Sequence, residues 1–250
     1  MNYKLPRPLT GNMLKAIAAA AMLCDHTAVI LLPNSPFYTA MRAVGRLAFP
    51  IFAFFIAEGC AYTSSRVKYL LTMLAVGIPC QLLEFFAAGE KKLNIMFTLA
   101  LGAELIFAYD RMISGGAHTV GTNGSENNVS EPKSDVNMRK FLGIGMFCAV
   151  ILLCASAAVF PGYQYSFFGA LLPLSAHIMR GKCYRLAPFM LTLAAISLFF
   201  AKIQLYSLAA LLPLALYGGE RGKYKMKLFF YIFYPAHLAV LWGLHYCHFH

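Results

Sequence analysis

The stretch MLCDHTAVILLP, Met22–Pro33, sets Asp25 and His26 side by side in an otherwise apolar run. An ionisable side chain costs roughly 2.5–3.5 kcal/mol at the centre of a bilayer, so one that is retained there marks a functional site by default. The same reasoning singles out Arg46 and Glu58 in AVGRLAFPIFAFFIAEGCAYT, and Glu84, Glu104, His177 and His237 in later runs. Lys15 precedes His26 by eleven residues, close to three helical turns. The two therefore share one helix face and stand about 16 Å apart along its axis at about 1.5 Å per residue. A linear ligand on that face would meet a cation at its anionic end and an imidazole at its reactive end. Imidazole is the side chain best matched to proton transfer near neutral pH, so His26 reads as a general base.

The other polar groups are assigned around that pair. Asp25 points about 100° away from His26 on the helix, so its expected partner is another helix, through Arg46, rather than the neighbouring imidazole. The second apolar run returns inward. That brings Arg46 level with His26, and Glu58, about 18 Å deeper, towards Lys15. His237, behind the tripeptide FYP, is the candidate second polar group facing His26. Glu84 is expected to be hydrated near an outer end, and His177 to be interfacial beside Arg180. Each assignment has a plainer alternative: hydrogen bonds between helices for Asp25, His26 and His237, snorkelling for Arg46, and an interhelical ion pair for Glu58.

These side chains need a scaffold, and the composition names it. Of 250 residues, 60% are hydrophobic and 12% charged, against about 45–50% and about 25% in soluble domains. The mean hydropathy is +0.63. Apolar runs of bilayer-crossing length recur without the alternation of a barrel. The expected fold is all-α: a single polytopic transmembrane bundle over 1–250 of about nine spans, near 13–32, 44–63, 68–87, 94–109, 140–159, 165–179, 184–201, 203–217 and 227–246. Pro50, Pro79, Pro173, Pro213 and Pro235 fall inside these runs and free carbonyls that neighbours must satisfy. With the N-terminus in the cytoplasm, sixteen of the 21 Lys and Arg fall on inner segments, and Arg42, Arg46, Lys91, Lys92 and Lys202 fall outside. A polar stretch at about 111–139, rich in Gly, Ser and Asn, reads as a cytoplasmic loop.

Several function classes drop out. The net charge of +11 fits basic loops facing anionic lipid, and no basic, aromatic-interleaved soluble segment points to nucleic acid. Seven cysteines without a CxxC pair behave as small apolar residues. The terminal histidines His245, His248 and His250 are weak evidence for a metal, and none is expected. No G-x-S-x-G, P-loop or H-E-x-x-H motif occurs. The first apolar run reads as a retained helix rather than a removed signal peptide.

The segments LKAIAAAAMLCDHTAVI, VGRLAFPIFAFFIAEG, NIMFTLALG (which begins at Asn94) and KLFFYIFYPAHLAVL together resemble the TraX family of bacterial membrane proteins. The founding member is associated with conjugation and acetylates pilin N-termini. A looser likeness extends to the type-3 membrane acyltransferases, which carry an Arg, ten residues and an essential His where this chain has Lys15 and His26. The resemblance implies an inner-membrane acetyltransferase that takes acetyl-CoA or another acyl-CoA as donor, with an amine or hydroxyl of a protein, glycan or lipid as acceptor. His26, Asp25, Arg46 and Glu58 would be catalytic, and Lys15, Arg46, Asn94 and His237 would bind the donor. Lys in place of Arg forgoes bidentate phosphate recognition. A proton-coupled transporter using the same buried Asp, Glu and His residues is the alternative.

Overall fold

The computed structural model describes residues 8–89, 92–114, 133–159, 166–181, 184–199, 201–224 and 226–249. Among them the chain is helical throughout, with α1 Gly11–Ile30, α2 Tyr38–Gly45, α3 Ala48–Tyr62, α4 Arg66–Ala88, α5 Ile95–Ser114, α6 Lys133–Val159, α7 Ser166–Ile178, α8 Leu186–Phe199, a 3-10 segment Lys202–Ala210 running into α9 Leu211–Ala215, and α10 Lys227–Phe249. Each of the nine predicted runs falls on one helical segment, with α2 and α3 sharing the second and the 3-10 segment and α9 the eighth. Gly11–Ile30, Tyr38–Tyr62, Arg66–Ala88 and Lys227–His248 are each long and apolar enough to cross a bilayer. The chain is an all-α, multi-pass membrane protein.

Two expectations change in detail. The loop predicted at 111–139 is shorter, because α5 continues to Ser114 and α6 begins at Lys133. Hydropathy ends a span at its first charge, whereas helical hydrogen bonding carries on into the polar zone. The middle of that loop, 115–132, lies outside the described residues. The second run is also not one helix. Its break falls at Arg46–Leu47, because Pro50 has no N–H to offer the carbonyl of Arg46, one turn back.

Packing follows from which faces are apolar all round. Ile51, Ala53, Phe54 and Ala57 of α3 are buried against Leu105 and Ile106 of α5, Leu172 of α7 and Phe189 and Leu193 of α8. A second cluster joins Ala21, Met22 and Ile30 of α1 to Val76 and Cys80 of α4 and to Tyr234, Leu238 and Leu241 of α10. Large apolar residues such as Leu71, Phe86, Leu191, Leu198, Ile232 and Val240 remain exposed. In water this would be an aggregation surface; against lipid tails it is the ordinary outer face.

One close approach fixes where α1 meets α2. A Cβ placed on Gly45 would collide with the Cβ and carboxylate of Asp25, so only glycine lets the two helices lie this close. Gly45→Ala should push α2 off Asp25, at the ~1–3 kcal/mol typical of overpacking. A thermal-shift measurement on the detergent-purified variant reads this as a lowered Tm; an unchanged Tm would show that the contact is not tight.

Candidate functional site

A cavity of about 780 Å³ opens between the two packed clusters, lined among others by Lys15, Asp25, His26, Arg42, Arg46, Phe55 and Lys227. Its size suits one drug-sized ligand or the arm of a larger one. The face shared by Lys15 and His26 is thus a wall of one continuous space.

His26 does not act alone. Its Nδ1 lies 2.7 Å from Nε2 of His237. The rings are nearly parallel, 8° apart, with centroids at 5.0 Å, the end-on geometry of an N–H···N hydrogen bond. Nδ1 of His237 lies 2.8 Å from the carbonyl oxygen of Phe233. That oxygen can only accept, so Nδ1 of His237 carries the proton and donates. In the neutral pair Nε2 of His237 then has only a lone pair to offer, and His26 Nδ1–H must donate to it. The basic nitrogen of His26 is therefore Nε2, on the far side of the ring from His237. The relation is one helical turn long: Phe233 and His237 are i and i+4 on α10, and the Phe233 ring stacks on the His237 ring at 4.9 Å and 13°.

The neighbouring carboxylate has a different task. Asp25 is buried; Nη1 of Arg42 donates to its Oδ2 and Nη2 of Arg46 to its Oδ1, both at 2.6 Å. Arg46 Nε also donates to the Arg42 carbonyl at 3.3 Å. Two guanidinium groups share one carboxylate, which leaves a net positive wall beside His26. The Asp25–Arg46 partnership expected from the sequence is present. Arg42, placed outside as one more surface cation, joins it; the missed signal is that Arg42 and Arg46 are four apart and so share a helix face.

Other candidate residues lie elsewhere. Glu58 is not among the cavity-lining residues: Arg185 Nη1 lies 2.5 Å and Arg180 Nε 3.7 Å from its Oε1. This ion pair ties α3 to Arg180, just after α7, and to Arg185, just before α8. Asn94 is 1% exposed and also off the cavity wall. Its Nδ2 donates to Glu84 Oε2 at 2.9 Å, its Oδ1 accepts from Tyr234 Oη at 2.8 Å, and its backbone N–H donates to Gln81 Oε1 at 2.6 Å. Asn94 thereby pins α4, the start of α5 and α10 together, one turn from His237. Glu84, expected to be hydrated near an outer end, is half-buried, lines the cavity and accepts from Asn94 Nδ2. His177, expected to be interfacial, pairs through Nε2 with Asp110 Oδ1 at 2.7 Å and joins α7 to α5. No group of metal-ligating side chains occurs among the described residues.

A multi-pass helical protein in which His26, hydrogen-bonded to His237, faces a cavity lined by cations is the class these features define. The chain belongs to the TraX protein family, whose profile matches residues 10–245. It is also 35% identical over 101 residues to a Dichelobacter nodosus protein described as "Probable fimbrial assembly protein FimC, serogroup H1", a match covering 35% of this chain and 41% of that one. The matched part is thus less than half the length of that relative. No solved structure matches.

The hydrogen-bond chain makes a direct prediction. His237→Phe keeps the stacking but removes the acceptor for His26 Nδ1–H, so the imidazole loses its fixed tautomer. Any reaction that uses Nε2 of His26 as a base should slow by about 10²-fold, the lower end of what general-base catalysis supplies, with KM for both substrates little changed. Steady-state kinetics on the purified variant test this; a wild-type kcat would mean that His237 does not orient the base.

Proposed function

We propose that the protein is an inner-membrane acyltransferase, N-terminus in the cytoplasm, that moves an acetyl or other acyl group from coenzyme A to an amine or hydroxyl acceptor. The observation that carries this reading is the oriented base: Nε2 of His26 is set by the Phe233–His237 hydrogen-bond chain, in a cavity whose wall also holds Lys15.

The donor enters from the cytoplasmic side with its anionic end at Lys15 and its thioester near His26. Nε2 of His26 takes the proton as the acceptor nitrogen or oxygen attacks the thioester carbonyl. Negative charge builds on the carbonyl oxygen, and the positive wall of Arg42 and Arg46 lowers its energy; a fixed cation is most effective where water is sparse. Asp25 holds both guanidinium groups in place. The tetrahedral intermediate collapses, the carbon–sulfur bond breaks, and the imidazolium returns its proton to the departing thiolate. Free coenzyme A thiol and the acylated acceptor leave, and His26 is again neutral.

Membership of the TraX family and the likeness to a fimbrial assembly protein support a pilin-type subunit as the first acceptor to try, through its N-terminal amine. The test incubates detergent-purified protein with labelled acetyl-CoA and a pilin-derived peptide. Label in the peptide that depends on this protein supports the reading. Proton-driven flux of a solute in proteoliposomes, with no donor consumed, would replace it with a transporter.

A further inference from the structure

The loop from Leu216 to Tyr224, LYGGERGKY, is tied to the start of α1. Leu9 N–H donates to the Leu216 carbonyl at 3.1 Å and Gly218 N–H to the Leu9 carbonyl at 2.9 Å. Gly11 N–H donates to the Glu220 carbonyl at 2.8 Å, Asn12 N–H to the Arg221 carbonyl at 3.0 Å, and Asn12 Nδ2 to the Tyr224 carbonyl at 2.6 Å. The loop thus caps free N–H groups of the first turn of α1 with its own carbonyls. Gly222, at φ +99° and packed against Thr10 and Asn12, supplies the left-handed backbone that this wrap requires.

The strap brings Arg221 to the end of α1 that carries Lys15. Lys15 and Lys227 both line the cavity; Arg221 is exposed and off the cavity wall, its carbonyl held by Asn12 N–H one turn before Lys15. Lys15 Nζ sits 4.8 Å above the centre of the Phe55 ring and Lys227 Nζ 5.6 Å from that of Tyr231, aromatic surfaces that also line the cavity. The Glu58 carboxylate is shared with Arg185 and Arg180. Glu220, the carboxylate on the strap itself, is exposed. Converging like charges repel, and a multiply charged anion between them removes that cost. Arginine adds the flat, two-pronged donor geometry that lysine at position 15 lacks.

We infer that Arg221, on the strap, and Lys227, at the head of α10, form with Lys15 a phosphate-binding clamp at the cavity mouth that seats the phosphorylated end of a soluble nucleotide-type donor. The inference rests on the acyl-donor reading and adds to it two residues distant in sequence from Lys15. An anionic lipid headgroup offers the same phosphate chemistry. The soluble source is favoured because Lys15 and Lys227 belong to the wall of the internal cavity that reaches His26.

The test measures equilibrium binding of coenzyme A to the full-length protein in nanodiscs, without acceptor and in a His26→Ala background, so that it does not depend on turnover. Arg221→Ala and Lys227→Ala should each weaken coenzyme A binding about tenfold, the scale of one lost charge-assisted hydrogen bond, and Arg221→Lys by less. Pantetheine, which has no phosphate, should bind all variants and the parent alike. Both side chains are exposed, so the variants should keep the parent's Tm. Coenzyme A affinity unchanged in both alanine variants overturns the clamp, as does a loss seen only in phosphatidylglycerol nanodiscs and not in neutral ones, which would assign the cations to lipid. Absence of acyl transfer by wild-type protein, with this binding pattern intact, would instead overturn the transferase reading.

Discussion

On the acyltransferase proposal, His26→Ala should slow acyl transfer by about 10²–10⁴-fold in kcat, while donor binding and Tm stay near wild type. The size of the effect follows from what is removed. Without Nε2 of His26 the acceptor must lose its proton to water, a far weaker base, and the departing thiolate has no acid to protonate it. The fold should tolerate the change because the imidazole faces the cavity, and its loss leaves only one hydrogen bond of His237 unmade. His26→Gln sharpens the test. It can still donate to His237 but cannot act as a base, so it should be as inactive as alanine. Activity in the glutamine variant would mean that the position matters for packing and not for proton transfer.

Asp25→Asn has the second largest effect, and it falls on stability before activity. One carboxylate pairs with two guanidinium groups whose side chains are 24% and 9% exposed. Removing a single partner from a buried charge network typically costs about 3–5 kcal/mol, because the remaining charge keeps its desolvation penalty without its compensation. The folded yield and Tm of Asp25→Asn should therefore fall sharply. Adding Arg42→Gln to Asp25→Asn should recover part of the loss by taking away one stranded charge, a coupling that a double-mutant cycle reads directly. If the double variant is less stable than Asp25→Asn by the full cost of Arg42→Gln alone, the two residues act independently and the shared-carboxylate account is wrong.

The sequence made the helices legible because hydropathy in a lipid solvent is a direct constraint: every backbone polar group must be satisfied within its own segment. The shared face of Lys15 and His26 was equally legible, since it needs only the helical period. The Asp25–Arg46 pair could be expected because two buried opposite charges at one depth seldom stay apart. Tertiary detail was less visible. Glu58 had basic residues available from two directions, and its depth in the membrane does not say which helix supplies them; Arg185 does. Asn94 looked like a binding residue from the motif that contains it. Its side chain instead ties three helices by hydrogen bonds to groups 10 and 140 residues away in sequence, contacts that periodicity cannot reveal. The close approach at Gly45 left no mark beyond a glycine beside an arginine.

The hydrogen-bond chain gives His26 an orientation that a lone histidine would lack. A lone imidazole in an apolar cavity can place its proton on either nitrogen and rotate freely about its side-chain bonds. The Phe233 carbonyl and His237 remove both freedoms at the cost of one helical turn of α10, with no charge added to the site.

The central claim is that one internal space carries the donor from the Lys15 mouth to Nε2 of His26. It is tested most directly by solving the structure of the full-length protein with a non-hydrolysable thioether analogue of acetyl-CoA. The account predicts that the phosphates lie at Lys15, Arg221 and Lys227, that the pantetheine arm runs through the cavity, and that the acyl carbonyl carbon sits about 3–3.5 Å from where an acceptor held by His26 would attack. An analogue bound on the lipid-facing surface, or one whose acyl end points away from His26, would contradict it.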